Sequence, residues 1–255
     1  MGINSSEVNN KKIDAMYNIS KKIVKKSVDY SVHTYDVNLR IFHQNICGLH
    51  NKTDELTIHW GDKFPHILCI TEHHLRGYEI GKTSISQYNL GAFYCRKNKK
   101  QGGVSIFVHN TLNSSNIELN KYCNENDLEA CALKTKLMDE IYYILCIYRP
   151  PTSNYTNFQR LLEDILTQLF SNKINMIICG DINIDYLKTS KHKSQLDLLM
   201  ASYNLSSIIE FPTRVTENTS TAIDNIFIDK IKNNEYTVEP MVNGLSDHDA
   251  QLLIL

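Results

Sequence analysis

A chain of 255 residues with 42% hydrophobic content can bury one large core, and a second full domain would be cramped. Its 27 Lys and Arg stand against 28 Asp and Glu, a formal charge of −1, which excludes a global positive field that gathers polyanions from a distance; any nucleic-acid contact must be local. Seven widely spaced cysteines with no CxxC pair argue against a zinc knuckle or a disulfide framework, and the odd count fits a reducing intracellular compartment, with nucleus and cytoplasm not distinguished.

Residues 1–36 are polar and rich in lysine pairs, with a weak helical periodicity through Ile13, Met16, Ile19, Ile23 and Val24. They read as a loosely ordered leader. Residues 1–40 hold seven Lys/Arg and four Asp/Glu, so the front is mildly basic and the remainder mildly acidic. The opening Met-Gly-Ile-Asn-Ser-Ser matches the minimal N-myristoylation pattern at Gly2, a short pattern that misleads often. No apolar stretch approaches the roughly 20 residues of a membrane helix, and the start lacks the apolar core of a signal peptide.

From Val37 to Leu255 apolar strands alternate with polar turns, and this span is expected to form one domain. Strands are predicted over Val37–Asn45, His66–Glu72, Leu90–Cys95, Val104–His109, Leu128–Lys136, Ile141–Tyr148, Ile174–Asp181, Ala222–Asp229 and His248–Leu255. Helices are predicted over Lys52–Trp60, Asn157–Ser171 and Ser194–Tyr203, the second with Phe158, Leu161, Leu162, Ile165, Leu166 and Leu169 on one face. Consecutive strands without intervening helices argue against a uniformly wound parallel sheet. They favour a mixed sandwich of two sheets with helices outside.

Several predicted strands end in a polar cluster where the apolar run stops, which is where a sheet hands side chains to a site at its rim. In order these are Gln44-Asn45-Ile-Cys-Gly48, Thr71-Glu72-His73-His74, Tyr148-Arg149-Pro-Pro151, Gly180-Asp181-Ile-Asn183, Ile223-Asp224-Asn225 and Ser246-Asp247-His248-Asp249. Taken singly, each has an ordinary explanation: Asn45 as a turn former, Glu72 as a solvated strand end, Tyr148 as core. Asp181 is harder to dismiss, because a carboxylate at the end of Met-Ile-Ile-Cys-Gly rides on a buried strand and must be paired, solvated or metal-bound. Asp247-His248 offers an acid beside a base that titrates near neutrality.

Together and in this order, the clusters resemble the endonuclease/exonuclease/phosphatase superfamily, which includes abasic-site endonucleases, pancreatic-type deoxyribonucleases and the endonuclease domains of LINE-type (non-LTR) retrotransposons. The resemblance covers about Val37 to Leu255. Gly180-Asp181-Ile-Asn183 and Ser246-Asp247-His248 carry it most strongly, and Tyr148-Arg-Pro-Pro and Thr221-Ala-Ile-Asp-Asn-Ile-Phe are similar to the retrotransposon branch in particular.

The resemblance implies an α/β fold with mixed sheets, a four-layer α/β/β/α sandwich whose site lies at the rim where the sheets meet. It further implies Mg²⁺-dependent hydrolysis of DNA phosphodiester bonds, leaving a 3′-hydroxyl and a 5′-phosphate, with Mn²⁺ able to substitute. By the same resemblance Glu72, Asn45 and Asp247 hold the metal, and Asp181 with Asn183 aligns and deprotonates the attacking water. His248, oriented by Asp224, holds the phosphoryl oxygen, and Tyr148 completes the site. Those roles make physical sense: the reaction needs an in-line water, a hard cation held by oxygen donors, and donors for charge that develops on phosphate.

One departure is Cys47, which stands where abasic-site enzymes place an acidic residue. Glu72-His73-His74 invites a zinc reading, weakened because neighbouring side chains on a strand point to opposite faces. Lys97, Lys99 and Lys100 read as a hairpin that could press on a DNA backbone, with Arg149 and Arg214 as comparable contacts, against the plainer reading of a solvated loop. Two rival readings stand beside the nuclease: a same-fold phosphodiesterase or phosphatase acting on a small or lipid substrate, and a catalytically silent domesticated scaffold.

Overall fold

In the computed structural model residues 38–255 are described, apart from 59, 61–63 and 172. The leader's helical periodicity and the Gly2 pattern lie outside the described residues.

The chain opens with β1 (Arg40–Asn45), whose six residues are all buried because both faces of the strand are covered. Ile41 packs into the core between the sheets while Phe42 points to the opposite side, toward the helical layer. A connection carrying α1 (Thr53–Thr57) leads to β2 (Ile67–Thr71), which pairs parallel with β1. The short α2 (Gly77–Ile80) follows. Then β3 (Tyr88–Tyr94) and β4 (Val104–His109) form a hairpin that pairs with β2 through β4. Phe42, Leu68, Ile70 and Phe107 are covered by Leu56, Trp60 and Ile80, so α1 and α2 form the outer layer here.

The second sheet grows from β5 (Ser114–Ile117), β6 (Glu129–Leu137) and β7 (Glu140–Tyr148), which pair antiparallel in sequence; a 3-10 turn, Asn120–Tyr122, lies between β5 and β6. The crossover helix α3 (Tyr155–Leu169) is capped by the Asn154 side chain, which accepts from the Asn157 N–H. It buries Phe158, Leu161, Leu162, Ile165, Leu166 and Leu169, the face its periodicity predicts. It returns the chain to β8 (Asn175–Asp181), parallel to β7. Helix α4 (Lys191–Ala201) and the short strands β9 (Ser206–Ser207), β10 (Arg214–Val215) and β11 (Ser220–Thr221) precede β12 (Asp224–Ile228), which pairs antiparallel with β8. The chain then returns to the first sheet through β13 (Thr237–Met241) and β14 (Ala250–Ile254).

The two six-stranded sheets run β13-β14-β1-β2-β4-β3 and β5-β6-β7-β8-β12-β9, and their facing sides form one core. Cys69, Cys146 and Cys179 are fully buried in it, as small hydrophobes. Helices cover both outer sides, so the architecture is the four-layer α/β/β/α sandwich. All nine predicted strands are present within a few residues of their expected bounds, whereas β5, β13 and the short β9, β10 and β11 were not foreseen. No helix among the described residues is long and apolar enough to cross a membrane.

Candidate active site

Each sheet contains one parallel pair, β1 with β2 and β7 with β8. A parallel pair ends its two strands on the same edge, so four strand ends meet at one rim. Asn45 and Glu72 arrive from the first sheet, Tyr148 and Asp181 from the second, with Tyr148 opposite Asp181 in register. Asp224 begins β12 and sits opposite Asp181 on its other side. Asp247 and His248 come from the loop before β14. Gly180 is required here, because a Cβ at that position would run into the Ile147 carbonyl of β7.

Asn45 ties the two halves together. Its amide nitrogen donates to Glu72 Oε1 at 2.9 Å and to Asp181 Oδ2 at 2.8 Å, one bond within its own sheet's rim and one across to the other sheet. Glu72 Oε2 meets His74 Nε2 at 3.0 Å. Burial raises the Glu72 pKa, but hydrogen bonds from His74, Asn45 and Tyr148 outweigh it and hold the carboxyl below the usual range, so it is an anion at neutral pH. Glu72 and Asn183 occupy the left-handed region at φ 52° and 48°, as does Cys47 at 46°. That conformation costs on the order of 1–2 kcal/mol for an L-residue, and backbone strain of this kind gathers at functional sites.

Asp181 is almost fully buried. Its Oδ1 accepts the Asn183 N–H at 3.0 Å. Burial and then the negative charge of Asp224 push its carboxyl upward, against the opposing pull of His248 and Asn45. Asp224 Oδ2 accepts from His248 Nδ1 at 2.7 Å and from the Thr213 hydroxyl at 2.8 Å. Because Nδ1 is committed to Asp224, Nε2 is the nitrogen left to face the site. Burial works against the His248 proton, but the Asp224 hydrogen bond and charge, aided by Asp181 and Asp247, carry the imidazole up to about 9, making it a cation at neutral pH. Asp247 Oδ2 takes Nε and Nη2 of Arg214 at 2.8 and 2.7 Å, and Arg214 holds that carboxyl low against the effect of burial.

The structure therefore brings Asn45, Glu72, Tyr148, Asp181, Asn183, Asp224, Asp247 and His248 to one rim. Cys47, Glu72, Tyr148, Asp181, Asn183 and His248 line an open cavity of about 380 Å³ there. Lys97, Lys99 and Lys100 are exposed, and Lys99 lines this cavity. Arg149 corrects its expectation: it is buried, its Nη1 donating to the carbonyls of Ile182 and Asn183 and its guanidinium lying over Tyr155 and Phe158, so it braces the Asp181–Asn183 turn from behind rather than facing a polyanion. His73 and His74 lie beyond the end of β2. His73 is buried, its Nδ1 accepting from the Leu75 N–H and its Nε2 donating to the Tyr94 carbonyl, which commits both ring nitrogens.

Two features were not foreseen. Thr213 is buried behind Asp224 in a loop that carries no strand signal. Arg96 forms a buried ion pair with Glu129, which also accepts the Gly103 N–H, and its guanidinium lies 5.8 Å from the Tyr148 ring centre. Glu129 could have been found, because a glutamate opening the apolar run Leu128–Leu133 needs a partner.

Residues 142–252 match the family described as endonuclease-reverse transcriptase. Among curated proteins none matches significantly. Solved structures share the fold at low identity. The endonuclease domain of TRAS1, a telomere-specific non-LTR retrotransposon, is 15% identical with a TM-score of 0.66, over 84% of this chain and 96% of that one. TDP2 of D. rerio, complexed with a single-strand DNA product, is 13% identical with a TM-score of 0.63, over 86% and 99%. The AP endonuclease LMAP of Leishmania major is 13% identical with a TM-score of 0.62, over 86% and 87%.

Proposed function

We propose that residues 37–255, of which 142–252 match the family described as endonuclease-reverse transcriptase, form a Mg²⁺-dependent endonuclease of the retrotransposon type within the endonuclease/exonuclease/phosphatase superfamily. The domain hydrolyses a DNA phosphodiester bond and leaves a 3′-hydroxyl and a 5′-phosphate.

One observation carries this reading. Asp181 from one sheet and His248 from the loop that leads into the other are both buried beside Asp224, with side-chain atoms of all three within 4.8 Å of one another and His248 Nδ1 bonded to Asp224 Oδ2 at 2.7 Å. Asp181 accepts a proton from the attacking water, which Asn183 helps to align. Both oxygens of Asp181 accept hydrogen bonds, Oδ2 from the Asn45 amide and Oδ1 from the Asn183 N–H, as those of a carboxylate do. His248 presents Nε2–H⁺ to a non-bridging phosphate oxygen, where negative charge must be met by a fixed donor. Asp224 and Thr213 hold the imidazole in that orientation, and the Tyr148 hydroxyl, bonded to Glu72, completes the rim.

Two donor sets could hold a cation. Asp181, Asp224 and His248 offer ligand atoms within 4.8 Å of one another, but His248 already neutralises that group as a cation. Glu72 and Asp247 offer hard oxygens at the open cavity, Asn45 Oδ1, which here accepts the Cys47 N–H at 3.1 Å, would add a third, and Glu72 keeps its charge; this set fits Mg²⁺, or Mn²⁺ in its place. When bound there, Mg²⁺ supplies positive charge that polarises the phosphate and steadies the leaving oxygen.

Nicking of supercoiled plasmid by the purified protein, with Mg²⁺ or EDTA, tests the proposal. A Mg²⁺-dependent nick that disappears in Asp181→Asn and His248→Ala is expected. A folded wild-type protein that cuts neither plasmid nor abasic duplex would overturn it, and cleavage of a small phosphodiester instead would favour the rival substrate class.

A further inference from the structure

A second cleft, about 1190 Å³ and wider than the catalytic cavity, lies along the side of the sandwich where β3, the edge of one sheet, approaches β5, the edge of the other. Arg96 and Lys99 line both spaces, so the cleft continues from the site of cleavage. Its lining holds four cations, Arg76, Arg96, Lys97 and Lys99, of which Arg96 is paired with the buried Glu129, against two carboxylates, Glu118 and Glu125, although the whole chain carries −1. Two aromatic rings lie open within it, Tyr78 at 70% exposure and Phe93 at 44%. Asn116, Asn120, Asn124 and Asn126 add exposed amides, each both donor and acceptor.

The loop between the two spaces is built to stay in place. Glu125 accepts the backbone N–H groups of Lys97, Asn98 and Lys99 at 2.6, 3.1 and 3.0 Å, and these bonds hold its carboxyl low against the small effect of burial. Arg76 Nη1 donates to the carbonyls of Arg96 and Lys97 at 3.0 and 3.1 Å. The lysine ammonium groups are left free to meet phosphates while their backbone is fixed from two sides.

We propose that this cleft binds single-stranded nucleic acid continuing from the scissile phosphate, its unpaired bases stacking on Tyr78 and Phe93 and its backbone running past Lys97 and Lys99. The inference rests on the nuclease reading of the adjoining site. Exposed rings in a basic groove suit a single strand because every base has a stacking face, whereas a duplex hides its base faces except at its ends. Asparagine amides can meet the base edges that an unpaired strand leaves open.

The test measures fluorescence anisotropy in EDTA, which separates binding from cleavage, using a dye-labelled single strand of about 12 nucleotides and a blunt duplex of the same length. A Tyr78→Ala/Phe93→Ala double variant is expected to bind the single strand about tenfold or more weakly, with duplex binding, thermal unfolding and plasmid nicking close to wild type. A 2-aminopurine base in the single strand should be quenched by the wild type and not by the variant. Unchanged single-strand affinity in the variant, while the wild type still nicks plasmid, overturns this inference and leaves the nuclease reading standing. Equal loss of duplex and single-strand binding overturns it in favour of a general basic surface. Absence of both nicking and binding in the wild type removes the nuclease reading and the inference with it.

Discussion

At the scale of single residues, Asp224 decides what His248 can do. One oxygen, Oδ2, takes both the imidazole Nδ1–H and the Thr213 hydroxyl, and Thr213 also accepts the Asp224 backbone N–H through that hydroxyl at 3.1 Å. Asp224→Asn keeps the shape and removes the charge that holds the imidazolium, so a loss of roughly 10²–10⁴ in turnover is expected from plasmid-nicking rates. Wild-type nicking should also fall as pH rises through about 9, where His248 loses its proton. Stability follows the same group: a histidine raised in the folded state contributes fully below its ordinary 6.5 and loses that contribution as pH climbs to about 9. Thermal unfolding measured from pH 6 to 10 should show this decline in the wild type and a flatter profile in Asp224→Asn; equal slopes would show that the pair is not what titrates. Asp181, Asp224 and His248 stood out as candidates in the sequence because each sits at the boundary of an apolar run, Asp181 at the end of β8, Asp224 at the start of β12 and His248 just before β14. Thr213 did not, since a threonine in a Phe-Pro-Thr-Arg loop has no periodicity to mark it, and Arg149 misled because a cation at a strand end can turn inward as readily as outward.

At the scale of elements, regular alternation and apolar runs made the inner strands readable, and polarity hid the edges. β5 is Ser-Ser-Asn-Ile with three exposed residues, and β13 is Thr-Val-Glu-Pro-Met with no buried residue; both close a sheet on one side and have no core face strong enough to signal a strand. The loop from Arg96 to Gly103 shows how an element end can depend on one buried pair. Gly103 has φ 89°, and a Cβ there would strike the His73 ring, so the loop re-enters β4 only through glycine. Its N–H and the Arg96 guanidinium both end on Glu129, whose side chain is fully buried, with Arg96 at 10% exposure. Glu129→Gln leaves Arg96 as a buried cation without its counter-charge, which should cost about 3–5 kcal/mol in denaturant unfolding. Hydrogen exchange over residues 96–103 should rise with it. An Arg96→Met/Glu129→Leu variant should recover most of the stability, because replacing both charges removes the unpaired one; failure to recover would place the role of Glu129 in the Gly103 contact instead.

At the scale of the whole molecule, the site belongs to neither sheet. Asn45, Glu72, Asp247 and His248 hang from the β1–β2–β14 side, and Tyr148, Asp181, Asn183 and Asp224 from the β7–β8–β12 side, with the Asn45 to Asp181 hydrogen bond spanning the gap. What keeps the halves in register is the apolar core between the sheets, where Ile41, Ile106, Ile144 and Ile177 are fully buried. A site split across a packed interface cannot outlast that interface, because a shift of about 1 Å between reacting groups can cost 10²-fold in rate. Nicking activity and the far-UV circular dichroism signal should therefore be lost in the same urea transition, and Ile144→Ala, distant in sequence from every site residue except Tyr148, should move both midpoints together by the equivalent of about 2–5 kcal/mol. Activity that vanished well before the circular dichroism signal would mean that the rim opens on its own while the sandwich stays closed, and that the strand-end loops, rather than the facing sheets, hold the catalytic geometry.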